Sequence, residues 1–119
     1  MMSTIAKKPT FKLLLCRDKV EYVAHILELD LVGTGATKKE ALEEVCDAAS
    51  AQIAFAIEHN CLESIFTPAP HRYFKEWQEL EQKMVMQILI SQRASVKAEK
   101  MERCEAREVP VSKLIPSYA

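Results

Sequence analysis

Five of the carboxylates in the first half of the chain could be read as one acidic constellation: Asp18, Glu21, Glu28 and Asp30 in a stretch that reads as strands, and Asp47 in one that reads as helix. Carboxylates gathered in space are oxygen ligands for a divalent cation. Their spacing does not gather them. Asp18 falls in a turn, Glu21 and Glu28 differ by an odd number of positions and so point to opposite faces of one strand, and nothing brings Asp47 to them. Neither a metal nor another cofactor is expected. His25, His59 and His71 have no Ser or Cys nucleophile with a motif of its own beside them. His25 reads as a surface or packing residue of a strand, and His59 as a helix-end residue whose charge complements the helix dipole. His71 follows Pro70 in a first helical turn, where a cation is poorly placed. Gly33-Thr34-Gly35 is not followed by the lysine of a phosphate-cradling loop. No catalytic residues are assigned, and the chain is not expected to be an enzyme.

The 119 residues carry 16 Lys+Arg against 17 Asp+Glu, a net charge of -1, with 49% hydrophobic and 28% charged residues. That is the composition of a small globular protein, and it excludes a multidomain enzyme and a globally basic nucleic-acid binder. The charge is uneven. Residues 1–82 hold nine Lys/Arg and 13 Asp/Glu, or -4, and residues 83–119 hold seven and four, or +3. The four cysteines, at 16, 46, 61 and 104, show no C-x-x-C or C-x-C spacing and read as free thiols. With no secretory apolar region near the first residues, a reducing cytoplasm is the expected compartment. The longest apolar run, residues 84–90, is too short to span a membrane.

The elements that must position these residues follow from periodicity. Residues 11–17 read as a strand with Phe11, Leu13 and Leu15 on one face and Lys12, Leu14 and Cys16 on the other. After the break at Asp18-Lys19, residues 21–28 alternate again, which predicts a β-hairpin. Residues 28–32 continue as extended or loop chain, and Gly33 and Gly35 are expected to supply positive φ in a reversing turn. Thr37-Lys38-Lys39-Glu40 is a capping box, the threonine hydroxyl accepting from the Glu40 N–H while the Glu40 carboxylate reaches back to the Thr37 N–H. The stripe that follows, Ala41, Val45, Ala48, Gln52 and Phe55 with Leu42, Ala49, Ile53, Ala56 and Ile57, needs a sheet to cover it. His59-Asn60 ends that helix, and Pro68 and Pro70 stop any helix in the connector.

The second half is less determined. Tyr73, Phe74, Trp77, Met84 and Ile88 keep a helical spacing to about residue 90, yet M-V-M-Q-I-L-I also satisfies a buried strand. Tyr73, Phe74 and Trp77 read either as core or as an oligomer interface. Residues 95–107 read as helix, and in the basic tail Arg93, Lys97, Lys100, Arg103 and Arg107 recur at three- and four-residue spacing, a nucleic-acid-binding helix face in the alternative reading. Residues 109–119 read as a tail or arm.

Three segments in order, Glu21-Tyr22-Val23-Ala24, Glu28-Leu29-Asp30-Leu31 and Gly35-Ala36-Thr37-Lys38-Lys39-Glu40-Ala41-Leu42, resemble the HicB-like family, the antitoxin half of bacterial toxin–antitoxin pairs. The resemblance covers residues 11–60. It implies a β-β-β-α(-β) unit similar to a truncated RNase H-like fold without nuclease activity, which binds and neutralises a small ribonuclease toxin of the HicA type. Tyr22, His25, Glu28 and Asp30 are the expected partner-binding residues. The expected fold class is α+β: a three- or four-stranded antiparallel sheet packed by one long helix over residues 1–68, then a helical C-terminal extension over residues 69–119. The protein is expected to be a cytoplasmic homo-oligomer without membrane contact. The alternative function is a stand-alone nucleic-acid-binding or regulatory protein that uses the basic C-terminal helix.

Overall fold

Alternating apolar side chains and a two-sided hydrogen-bond ladder build the centre of the molecule. The structure, a computed structural model, describes residues 9–91 and 103–115. β1 (Thr10–Arg17) and β2 (Tyr22–Ile26) form the expected hairpin, with Leu13 opposite Ile26 and Leu15 opposite Ala24. β3 (Leu31–Gly35) pairs with the far side of β2, and β4 (Cys104–Pro110) with the far side of β1. The result is a four-stranded antiparallel sheet in the order β3-β2-β1-β4, an α+β fold.

β3 changes the expected role of the glycines. Gly33 and Gly35 lie within the strand, not in a turn, and neither has positive φ. They are needed because α1 (Lys38–Glu58) lies directly on them. A Cβ on Gly33 would collide with the Val45 backbone nitrogen and come within 2.9 Å of the Ala41 carbonyl oxygen; one on Gly35 would come within 2.6 Å of the Ala41 nitrogen. Small residues on the facing helix stripe, Ala41, Ala49 and Ala56, complete this close approach. The chain reverses instead through residues 27–30, where Asp30 takes φ 51°. A short polar side chain tolerates that left-handed conformation.

α1 starts as expected, since the Thr37 hydroxyl accepts from the Glu40 N–H at 3.1 Å. The Glu40 carboxylate accepts from the Thr37 hydroxyl at 3.3 Å rather than from its N–H. The helix ends at His59, with Asn60 at φ 54°. Its buried stripe meets Phe11, Leu13, Leu15, Ala24 and Ile26, the main core, to which Ile65 of the 3-10 turn Leu62–Ile65, Val109 of β4 and Leu114 of the short helix α3 (Val111–Leu114) also belong.

Residues 71–91 are one helix, α2 (His71–Ser91), which settles the helix-or-strand choice for residues 84–90. It packs on the opposite face of the sheet, against β1 and β4. There Leu14, Leu27, Ala69 and Trp77 form a second buried cluster, bordered by Cys16, Tyr73, Phe74, Leu80 and Ala106. The sheet is thus sandwiched between two helices. The chain beyond α2 does not stay helical: residues 104–107, expected in a helix, and residues 109–110, expected in a tail, are strand β4. Seven residue pairs join it to β1, so both sides of the expected division at residue 68 contribute to one sheet. Residues 95–102 of the expected helix lie outside the described residues.

Candidate functional site

The turn at residues 27–30 is tied down from three directions. The Leu27 N–H donates to the Lys12 carbonyl at 2.9 Å, the Ala69 N–H to the Leu27 carbonyl at 2.8 Å, and the Thr67 hydroxyl to the Leu29 carbonyl at 3.4 Å. Glu28 belongs to this scaffold, accepting from the Lys12 N–H at 2.8 Å and lying 3.9 Å from the Lys12 ammonium. Lys12 in turn lies over the Trp77 ring, 5.4 Å from its centre. Trp77 donates its indole N–H to the Arg107 carbonyl at 2.9 Å, which joins α2 to β4.

With the turn held, Asp30 meets His25: the imidazole Nε2 is 2.7 Å from the carboxylate. The His25 side chain is only 12% exposed, while that of Asp30 is 47% exposed. Tyr73 packs its ring against the imidazole at 75° and 5.1 Å between centres. Because α2 covers β1 and β4, the β2–β3 half of this face is open, and Val32 stands 52% exposed there. The opening is a groove of about 490 Å³ between β2, β3 and the first turns of α2. Its walls are apolar, from Leu14, Val23, Val32 and Tyr73, and its polar points are the His25–Asp30 pair, Arg72 and Glu76. Arg72 donates to the Tyr73 hydroxyl at 3.1 Å, and its guanidinium lies 4.8 Å from the ring centre. An apolar floor with a few oriented charges suits recognition of a side chain or peptide edge.

A second, more charged cleft of about 630 Å³ opens on the α1 face, where Arg17, Lys19, Lys38 and Arg103 stand with Asp18 and Glu105. Its charges largely pair with one another. Lys38 is 3.4 Å from Glu105 and Arg103 is 3.8 Å from Asp18.

The four expected partner-binding residues therefore divide. His25 and Asp30 come together in the groove, Glu28 is occupied by Lys12, and Tyr22 lies on the other face of the sheet with the Arg17 guanidinium 5.9 Å from its ring centre. The expected basic helix face is corrected in part. Arg107 lies in β4, bound to Glu105 at 2.9 Å, and Arg103 precedes it, donating to the Arg17 carbonyl at 3.2 Å. Arg93, Lys97 and Lys100 lie outside the described residues. Trp77, offered as core or interface, is 6% exposed and belongs to the core; Tyr73 and Phe74 are half-buried beside it. Val32, Arg72 and Glu76 went unnoticed in the sequence. Reading β3 as a strand with its glycines toward α1 would have sent Val32 to the groove side.

The reading of all four cysteines as free thiols is also overturned. Cys16 and Cys104, directly opposed across β1 and β4, form a disulfide, and Cys46 and Cys61 are the free thiols. Burial pushes the Cys46 thiol up from its ordinary value; Lys113 opposes this and Asp47 adds to it. Among the described residues no three His, Cys, Asp or Glu side chains are grouped to hold a metal ion, and no helix is long and apolar enough to cross a membrane. Compared with known proteins, the chain matches no family model, no curated protein and no solved structure.

Proposed function

We propose that this chain is a non-catalytic binding protein of the HicB-like type, an antitoxin-type component that captures and neutralises a small ribonuclease toxin and that self-associates. The observation that carries the reading is the groove on the uncovered β2–β3 half of the sheet, where exposed Val32 sits beside the fixed His25–Asp30 pair. The β-β-β-α order with a capped helix supports it. The groove offers contact area and oriented charge, with Cys16 at its edge held in a disulfide and so not a nucleophile. The nucleic-acid alternative loses support, because Arg103 and Arg107 flank and enter a strand and are paired.

The test is co-expression with a HicA-type ribonuclease encoded beside the gene, followed by an RNA cleavage assay. The expected result is co-elution and near-stoichiometric inhibition, with Val32→Asp weakening binding at least about tenfold, or about 1.4 kcal/mol. Full-rate cleavage in the presence of excess chain, with no co-elution, overturns the reading.

A further inference from the structure

The two faces of the sheet are held unequally. The main core on the α1 side holds fourteen buried side chains, whereas the cluster beneath α2 holds only Leu14, Leu27, Ala69 and Trp77. A unit with few buried apolar contacts is the one that opens first. β4 is held as unevenly along its length. At one end Val109 belongs to the main core and lies opposite Phe11. At the other end no side chain of residues 104–107 is buried, and the ion pairs there, Lys38–Glu105 and Arg107–Glu105, join partly exposed side chains and hold weakly. Beyond its ladder hydrogen bonds, that end is fastened by the Cys16–Cys104 bond, which sits at the last pair of the β1–β4 ladder. The seat of α2 depends on this same end. The Trp77 indole N–H donates to the Arg107 carbonyl at 2.9 Å, and Cys16 and Ala106 border the cluster that buries Trp77. One turn earlier on α2, Tyr73 packs on His25 and forms a wall of the groove. Cys16 also lines that groove, and both cysteines are half-buried, so a small thiol has a route to the bond.

We propose that the Cys16–Cys104 disulfide is a redox latch on the groove. Closed, it fixes residues 104–107 of β4, and through Trp77 the seat of α2 and the Tyr73 wall. Opened by a low-molecular-mass thiol such as glutathione, it lets that end of β4 fray and α2 loosen, and the groove loses its wall. The chemistry is thiol–disulfide exchange. One thiolate attacks a sulfur of the bond, forming a mixed disulfide and releasing the other cysteine as a thiolate, which takes up a proton. A second thiolate attacks the mixed disulfide, so that Cys16 and Cys104 end as thiols and the two small thiols, having given up two electrons, end as their own disulfide. The main core lies on the other face of the sheet, so the release is local and the reduced chain stays folded. The inference rests on the groove being the binding site and adds its regulation: the oxidised chain is the form that captures a partner.

Trp77 is the chain's one tryptophan, so its emission reports on the seat of α2 alone. The test compares the full chain, without denaturant, before and after reduction by glutathione. On reduction, the acrylamide quenching slope of Trp77 should rise at least about twofold and the amides of residues 104–107 should exchange at least about tenfold faster, while α1 amides and the far-ultraviolet circular dichroism hold. The nuclear Overhauser contact between the Tyr73 and His25 rings should weaken. Cys16→Ser with Cys104→Ser should show the reduced behaviour without reductant, and Cys46→Ser with Cys61→Ser should keep the full redox response, because those thiols are outside the bond. Equal Trp77 quenching in both redox states, a response that vanishes with Cys46 and Cys61, or loss of the whole dichroism signal on reduction overturns the latch. None of these readouts needs a partner, so a latch that responds while no ribonuclease binds in either state stands without the proposed function. Where the ribonuclease does bind, reduction should weaken capture at least about tenfold, and equal capture in both states overturns the gating.

Discussion

Removing the Cys16–Cys104 disulfide is the sharpest probe of this architecture. The bond joins residues 88 apart in sequence, and nearly the whole fold lies within the loop it closes. On the chain-entropy account, a loop of that size restricts the unfolded chain enough to stabilise the native state by about 4.6 kcal/mol. Domains of this kind are stable by only about 5–15 kcal/mol, so the contribution is a large share of the total. At a urea slope of about 1.5 kcal/mol per M, reduction or Cys16→Ser with Cys104→Ser lowers the unfolding midpoint by about 3 M. The assay is urea unfolding followed by circular dichroism, with and without reductant. A thiol titration in denaturant accompanies it, expected to find the two free cysteines before reduction and four after. Four reactive thiols in the unreduced protein, or midpoints that coincide with and without reductant, would refute the reasoning.

Gly33→Ala is expected to destabilise by about 1–3 kcal/mol, seen as a lower thermal midpoint, because the new methyl is driven into the α1 backbone. That outcome has the opposite sign to the small gain, about 0.4–1 kcal/mol, that the same change gives at an unhindered position. Thr37→Ala should cost about 1 kcal/mol in the same measurement through loss of the α1 cap. Cys46 should react with iodoacetamide more slowly than a free cysteine peptide at neutral pH. Its raised pKa keeps the thiolate scarce, and the rate should climb as the pH rises toward that pKa.

The first half of the fold was legible because each signal was local. The β1–β2 alternation, the Thr37–Glu40 cap and the Asn60 stop each depend on residues a few positions apart, and all three appear in the structure. The glycines were misread because turn and close approach favour the same residue, and only the helix lying over β3 separates the two causes. β4 was not legible. As an edge strand it carries a charged residue at Glu105, Arg107 and Glu108 and buries only Val109, so its polar spacing imitates a solvated helix. The disulfide depended on β4 in turn, since Cys16 and Cys104 become neighbours only through the β1–β4 register. At the site, His25 was legible as a strand residue, whereas the turn that carries Asp30 was not, because the two glycines drew the expected reversal to residues 33–35. Val32 and Arg72 were not, because the groove exists only where α2 stops covering the sheet.

β1 completes its two ladders at very different times. Its pairing with β2 closes a tight hairpin, whereas its pairing with β4 waits for residues about 90 positions later in synthesis. At about 5–20 residues per second, the second edge of β1 stays unpaired on the ribosome for about 5–20 s. During that interval Leu13, Leu14 and Leu15 lie on an open strand edge, which is a template for any passing strand. The native topology is thus decided late, by a competition for one edge that β4 must win, and high contact order makes that step the slow one in folding. Once β4 is seated, the Cys16–Cys104 bond makes its victory permanent in an oxidising setting, and a reductant reopens the contest.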